Sequence, residues 1–165
     1  MVRPAPYNSF TMNESGDLVD SLVTASRVLV AVAARSLADL DEDVTLAQYR
    51  TMVLVASRGP QTVASLGQLL SVTPATATRM CDRLEKKGLI TRTAGTEDRR
   101  TVTVALTELG RDLIATVTAR RRRDIEELVT AIEPAERDVI IAALTRLAEA
   151  SGEPSDAQWA LEWDL

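Results

Sequence analysis

One short helix has both of its ends marked in the sequence, and it limits the folds open to this chain. Thr73 is a good N-cap residue, because its hydroxyl group can accept a hydrogen bond from a free backbone N–H group of the first turn. Pro74 follows at the first helical position, where a missing N–H group costs nothing. Two lysines and Gly88 mark the other end, since lysines favour the negative end of the helix dipole and glycine is a typical stop. The pattern predicts a helix over residues 74–87.

The same segment has one apolar face. Ala77, Met80, Cys81 and Leu84 stand at spacings of i, i+3, i+4 and i+7, which predicts that they are buried together. A shorter helix is predicted just before it, over about residues 62–70, with a brief turn between the two. Two compact helices joined in this way are typical of a helix-turn-helix.

Two segments with alternating apolar residues follow this pair of helices. Residues 89–94 and 101–106 each predict a strand, and residues 95–100 predict the loop of a hairpin between them. A hairpin attached behind a helix-turn-helix forms a wing. Amphipathic helices are also predicted on both sides of this unit, the longest over residues 17–40 and 107–132.

The predicted fold is therefore mainly α with a small β-hairpin, a winged helix-turn-helix flanked by helices at both ends. At 165 residues the chain is long enough for one domain with such extensions. Its parts are an N-terminal segment and helix (1–44), the winged unit (45–106), C-terminal helices (107–150) and an acidic tail (151–165).

Composition argues against several classes of protein. The chain has no histidine, which removes the commonest general base and the commonest metal ligand, and its seven glycines never form a G-x-G phosphate loop. We therefore expect no catalytic residues, no metal, no cofactor and no enzyme activity. Cys81 is the only cysteine, so no disulfide forms within the chain, and no apolar run is long enough for a membrane span. We expect a cytoplasmic protein that does not bind membranes.

The charge is unevenly distributed. A net charge of −5 argues against a generally basic nucleic-acid binder, yet residues 79–100 contain seven basic and four acidic side chains. Charges more than about 8 Å apart are largely screened at physiological salt, so a local basic patch can act in an acidic protein.

If the helix over 74–87 enters a DNA major groove, its apolar face must point inward and its other face toward the DNA. The N-terminal part of such a helix normally meets base edges, and arginine can bond to guanine with two hydrogen bonds. The residues expected near bases are Thr73, Ala75, Thr76 and Arg79. Those expected near phosphates are Arg83 and Lys86. An ordinary amphipathic helix with a solvated polar face is the alternative.

The predicted hairpin loop carries two adjacent arginines, Arg99 and Arg100. Arginines on a projecting loop suit insertion into a narrow minor groove, where the negative potential is strongest. Asp98 beside them is expected to pair with one of them and orient it. A solvated turn with a local ion pair is the alternative.

These segments resemble the MarR family (multiple antibiotic resistance regulators). The resemblance rests on "RLEKKG" at 83–88 and on the D-x-R of Asp98–Arg100 before the V-x-L-T of Val104–Thr107, and it covers roughly residues 15–150. It implies an obligate homodimer, in which the N- and C-terminal helices are dimerisation helices and each subunit reads one half of a palindrome in double-stranded DNA. It also implies that Arg100 is the minor-groove arginine, with Asp98 as its partner, and that Thr73 to Arg79 read the major groove.

The family often responds to small phenolic or other lipophilic anions, and the resemblance implies such a ligand here. The candidate ligand-binding residues are Arg27, Tyr49, Arg50 and Arg121. Arg121 interrupts the apolar side of its helix, and this position favours a structural ion pair with an acid across the dimer over a ligand contact, with an extended side chain that reaches solvent as a further alternative. Gly67 departs from the family, which usually has alanine there; close packing against that position would explain the departure.

The function predicted from the sequence is a ligand-responsive transcriptional repressor that binds a palindromic operator as a homodimer. One alternative is a helical dimeric protein-interaction module without DNA binding, which Trp159 and Trp163 in the tail support. Another is an architectural DNA-binding protein that responds to no ligand.

Overall fold

The computed structural model describes residues 14–38, 40, 43–94 and 102–153. Its helices are α1 (Glu14–Ala38), α2 (Leu46–Arg58), α3 (Val63–Leu69), α4 (Pro74–Lys86), α5 (Glu108–Val129) and α6 (Arg137–Ser151), with a 3-10 turn at Pro134–Glu136. Its strands are β1 (Gln61–Thr62), β2 (Ile90–Ala94) and β3 (Val102–Leu106). The predicted class, mainly helical with a small β element and a winged helix-turn-helix order, is confirmed. No helix in the described ranges is both long enough and apolar enough to cross a bilayer.

Helix α4 has the ends that its sequence predicts. The Thr73 hydroxyl accepts a hydrogen bond from the Thr76 N–H group at 3.3 Å, and Pro74 occupies the first turn. Gly88 follows the helix with a φ of +72°, a left-handed conformation that favours glycine. The four predicted inward residues, Ala77, Met80, Cys81 and Leu84, are all buried.

Helices α3 and α4 pack closely across a short turn. The turn includes Ser71 in a left-handed conformation, with a φ of 54°, and the Val72 N–H group donates to the Gly67 carbonyl at 3.0 Å. A Cβ atom added to Gly67 would lie 3.4 Å from the Cβ of Ala77, which is an ordinary contact distance. The expected crowding at this glycine is therefore mild.

The wing contains one more strand than the sequence predicts. The strands form an antiparallel sheet in the order β1-β3-β2, with Ile90 opposite Leu106 in the hairpin and Gln61 opposite Val104 in the added pair. Two residues are too few to show an alternating pattern, so β1 had no periodic signal. Because β1 leads directly into α3, it joins the helix-turn-helix to the wing.

The core lies where α2, α3, α4 and the sheet of the winged unit pack together and against α5. Helix α2 begins with a capping box, in which Thr45 and Gln48 bond to each other's backbone, and α5 begins with Thr107 accepting from the Gly110 N–H group. Gly110 lies so close to Leu89 that an added Cβ atom would overlap the Leu89 carbonyl oxygen. The start of α5 is therefore fixed against the end of the α4–β2 connection.

The outer helices leave much of their apolar surface uncovered in the single chain. Of the apolar stripe that the sequence predicts for α1, only Ala33 and Leu37 are buried, and Leu18 and Leu29 are more than half exposed. The predicted stripe consists of Leu18, Leu22, Ala25, Leu29, Ala33, Leu37 and Leu40. No residue of α6 is buried, and Val139 is 72% exposed.

The apolar stripe that the sequence predicts for α5 is only partly buried. It consists of Leu109, Leu113, Val117, Ile125, Leu128 and Ile132. Leu113 and Val117 are in the core, but Leu109 and Leu128 are exposed, and α5 ends at Val129, before Ile132.

Candidate nucleic-acid interface

One face of α4 is exposed to solvent. Thr73 and Ala75 are exposed at its start, Thr76 is half-buried, and three cations are exposed further along, namely Arg79, Arg83 and Lys86. None of these cations forms an ion pair within the described part of the chain. The structure therefore places all six residues that the sequence predicts for this helix on one short exposed element.

The threonines at the start of α4 hold each other in place. The hydroxyl groups of Thr73 and Thr76 lie 2.9 Å apart and share a hydrogen bond. Each hydroxyl can both donate and accept, so the pair keeps capacity for a base edge or a phosphate oxygen. A side chain already fixed by its neighbour loses less rotational freedom on binding.

The two acidic residues on α4 are matched by one arginine from the wing. Arg92 on β2 contacts the Asp82 carboxylate at 2.7 Å and the Glu85 carboxylate at 3.6 Å, and it donates to the Thr78 carbonyl at 3.1 Å. Its side chain is only 20% exposed. Arg92 thus offsets part of the negative charge on this face of α4, and it ties β2 to α4.

The sequence prediction did not assign Arg92 a role, although a signal was present. Arg92 is two residues after the buried Ile90, and alternate residues of a strand share a face. That parity places Arg92 on the same side of β2 as Ile90, toward α4.

The tip of the wing falls outside the described residues. Strand β2 ends at Ala94 and β3 begins at Val102, so the predicted minor-groove residues Arg99 and Arg100, and the predicted orienting residue Asp98, lie in the stretch between them. Their roles remain predictions from the sequence.

Cys81 belongs to the core rather than to a reactive surface. Its side chain is fully buried in the inward face of α4, and this burial raises the pKa of the thiol. A thiol with a raised pKa forms little thiolate at neutral pH and is a weak nucleophile.

A cavity of about 460 Å³ lies between α2 and α5, at the back of the winged unit. Three of the four predicted ligand residues, Tyr49, Arg50 and Arg121, line it, and Val53 and Ile125 add apolar surface. The fourth, Arg27, is an exposed residue of α1 and is not among the lining residues.

Arg121 lies over an aromatic ring. Its guanidinium carbon is 5.4 Å from the centre of the Tyr49 ring, within range of a cation–π contact, and the Tyr49 hydroxyl lies 3.4 Å from that of Thr118. The Nε atom of Arg121 is buried and has no hydrogen-bond partner among the described residues.

Arg50 is held by an acid from the far end of the described chain. Its guanidinium group donates to both carboxylate oxygens of Glu153, at 2.6 and 2.5 Å. The bond lowers the pKa of Glu153 and raises that of Arg50. The pairing joins residues 103 positions apart, and nothing in the local sequence indicates it.

Comparison with known proteins places the chain in a family. A family model described as the MarR family matches residues 44–102, from the end of the α1–α2 connection to the start of β3. The uncharacterised HTH-type transcriptional regulator YhbI of Bacillus subtilis is 31% identical over 116 residues, which cover 68% of this chain and 75% of that relative. Transcriptional regulators are not enzymes, which agrees with the prediction from composition.

Solved structures show the same architecture. RV1404 from Mycobacterium tuberculosis is 42% identical, covers 88% of this chain with 99% of its own, and superimposes with a TM-score of 0.80. A MarR family protein from Bacillus stearothermophilus has the same fold at 23% identity, with a TM-score of 0.76 over 87% of this chain and 100% of its own. The chain belongs to the MarR family and is a transcriptional regulator with a winged-helix DNA-binding fold.

Proposed function

We propose that the protein represses transcription as a homodimer that binds a palindromic operator and is released by a small lipophilic or phenolic anion. The observation that carries the DNA-binding part is the exposed face of α4. It presents three cations that form no ion pair within the described residues, beside two acids whose negative charge Arg92 partly offsets. Such a face suits a polyanion, because its positive charges have no competing partner in the described chain.

The proposed contacts divide into two kinds. Thr73, Ala75, Thr76 and Arg79 are at the N-terminal part of α4, where a recognition helix reads base edges. Arg83 and Lys86 are further along and suit phosphates, which position the protein without reading sequence. Arg99 and Arg100 at the wing tip, oriented by Asp98, would enter the minor groove.

The uncovered apolar faces of α1 and α6 support the homodimer. Two recognition helices must be about 34–36 Å apart to enter successive major grooves, and dimerisation helices set that spacing. A ligand in the cavity between α2 and α5 would contact both the winged unit, through α2, and the C-terminal helices, through α5. It can therefore change the spacing, with a coupling of typically 1–3 kcal/mol.

The test is a gel-shift titration on DNA from upstream of the protein's own gene, at two salt concentrations. We expect a steep loss of affinity with salt, since phosphate contacts release counterions. Arg79→Ala and Arg100→Ala should each lower operator affinity by about 1–3 kcal/mol. Arg146→Ala removes the same charge from an exposed position on α6 and serves as the matched control.

The second candidate is a dimeric protein-interaction module without DNA binding, which is favoured by α6, a helix with no buried residue. It predicts that Arg79→Ala and Arg100→Ala behave like the control and that no operator DNA is retarded. That result would replace the proposal with the second candidate.

A further inference from the structure

The end of α6 is attached to α2 by polar contacts rather than by packing. Glu153, two residues beyond α6, bonds to Arg50, and the Gly152 carbonyl accepts from the Arg58 side chain at 2.9 Å. No residue of α6 itself is buried. In the described chain, these contacts hold the end of α6 against α2, the first helix of the winged unit.

The Arg50–Glu153 pair lies in the wall of the cavity between α2 and α5. Glu153 and Arg50 both line it, together with Tyr49 and the apolar side chains of Val53 and Ile125. The Glu153 carboxylate therefore occupies the position that an incoming carboxylate would take on Arg50. A bidentate arginine–carboxylate pair is specific in geometry, so the two carboxylates exclude each other there.

The pair is charged at neutral pH but open to exchange. Arg50 lowers the pKa of the Glu153 carboxyl group, which keeps it ionised. The two side chains are 43% and 33% exposed, so water reaches them. Ion pairs that solvent can reach contribute little, at most about 1 kcal/mol, and a ligand with further apolar contacts can displace one.

We infer that Glu153 is a built-in competitor for the ligand, a latch that an exogenous carboxylate must displace from Arg50 to enter the cavity. The matching ligand class is a monocarboxylate with an aromatic or aliphatic body that packs against Tyr49 and Val53. Entry of such a ligand releases the end of α6 from α2. The inference rests on the proposed ligand response, and it adds that this chain sets its own threshold for that response.

The test measures the affinity of the full-length dimer for benzoate by isothermal titration calorimetry. Glu153→Gln removes the competing charge and keeps the shape, so we expect benzoate to bind about fivefold more tightly, which corresponds to ~1 kcal/mol. Glu149→Gln makes the same change at an exposed position on α6 and should leave the affinity at the wild-type value. In the double variant Arg50→Gln/Glu153→Gln the gain in benzoate affinity should disappear, because the guanidinium group that would bind the benzoate carboxylate is absent.

Equal benzoate affinity of the wild type and Glu153→Gln would overturn the inference, and so would the absence of benzoate binding in all variants. Glu153→Ala provides a second test, expected to give the same gain, and thermal unfolding of each variant checks that the fold persists. Operator gel shifts separate the two proposals. If the wild type binds operator DNA but Glu153→Gln binds benzoate no more tightly, only the inference about Glu153 is overturned. If Glu153→Gln binds benzoate more tightly but no operator DNA is bound, only the proposed repressor function is overturned.

Discussion

Gly67 and Gly110 lie inside helices, and their surroundings give them opposite roles. Gly110, in the first turn of α5, approaches the Leu89 carbonyl so closely that no side chain fits. Gly67, in α3, has room for a methyl group in ordinary contact with Ala77 and Val72. Glycine in a helix interior costs roughly 0.5–1 kcal/mol relative to alanine, so only Gly110 has a packing reason to be there.

Alanine at these two positions should change stability in opposite directions. Gly110→Ala forces α5 away from Leu89, and we expect it to lower the free energy of unfolding by about 1–3 kcal/mol, as overpacking does. Gly67→Ala should raise that free energy by about 0.5–1 kcal/mol through helix propensity. Urea unfolding at equal protein concentration measures both. A loss of stability in Gly67→Ala would show that the α3–α4 contact is tighter than its geometry indicates.

Among the elements, β2 and α4 act as one unit because Arg92 connects them. We expect Arg92→Ala to lower operator affinity about tenfold, or ~1.4 kcal/mol, since Asp82 and Glu85 then face the phosphates uncompensated. Thr93→Ala, an exposed position on the same strand, is the control. Adding Asp82→Asn and Glu85→Gln to Arg92→Ala should restore much of the affinity in a gel shift. No recovery would mean that Arg92 acts by holding the wing rather than by charge.

The elements also show why some features were predictable and others were not. The ends and inward face of α4 depend on neighbouring residues, so Thr73, Pro74 and Gly88 were sufficient to predict them. Strand β1 and the Arg50–Glu153 bond depend on partners far away in the sequence, and no local pattern encodes such pairings. The sequence predicts the apolar stripe of α1, but an apolar stripe does not indicate whether its own chain or a second chain buries it.

At the scale of the whole molecule, the exposed apolar faces of α1 and α6 need a partner. Exposed apolar side chains in this number indicate an interaction site, and the proposed occupant is a second copy of the chain. These faces belong to α1 and α6, so pairing through them does not use the exposed face of α4.

Glutamates on α6 should therefore separate the subunits. Ile141 and Leu144 are 60% and 53% exposed, and Ile141→Glu/Leu144→Glu places two charges on the apolar face. We expect association at least tenfold weaker by light scattering, because charges buried at an interface are costly. Leu46→Glu, at an exposed leucine in the first turn of α2, is the control and should leave the mass unchanged. Wild-type protein that scatters as a monomer would contradict the dimer.

The short strand β1 has a consequence for how a signal changes gene expression. Strand β1 bonds to β3 and leads directly into α3, and α4 is followed by β2. The pair of helices α3 and α4 is therefore connected to the sheet at its beginning and at its end. Under the proposed ligand response, an effector in the cavity between α2 and α5 would move α3, α4 and the hairpin together, without changing their positions relative to one another. The preferred base pairs would then stay the same with and without the effector, and regulation would alter only the fraction of time for which the operator is occupied.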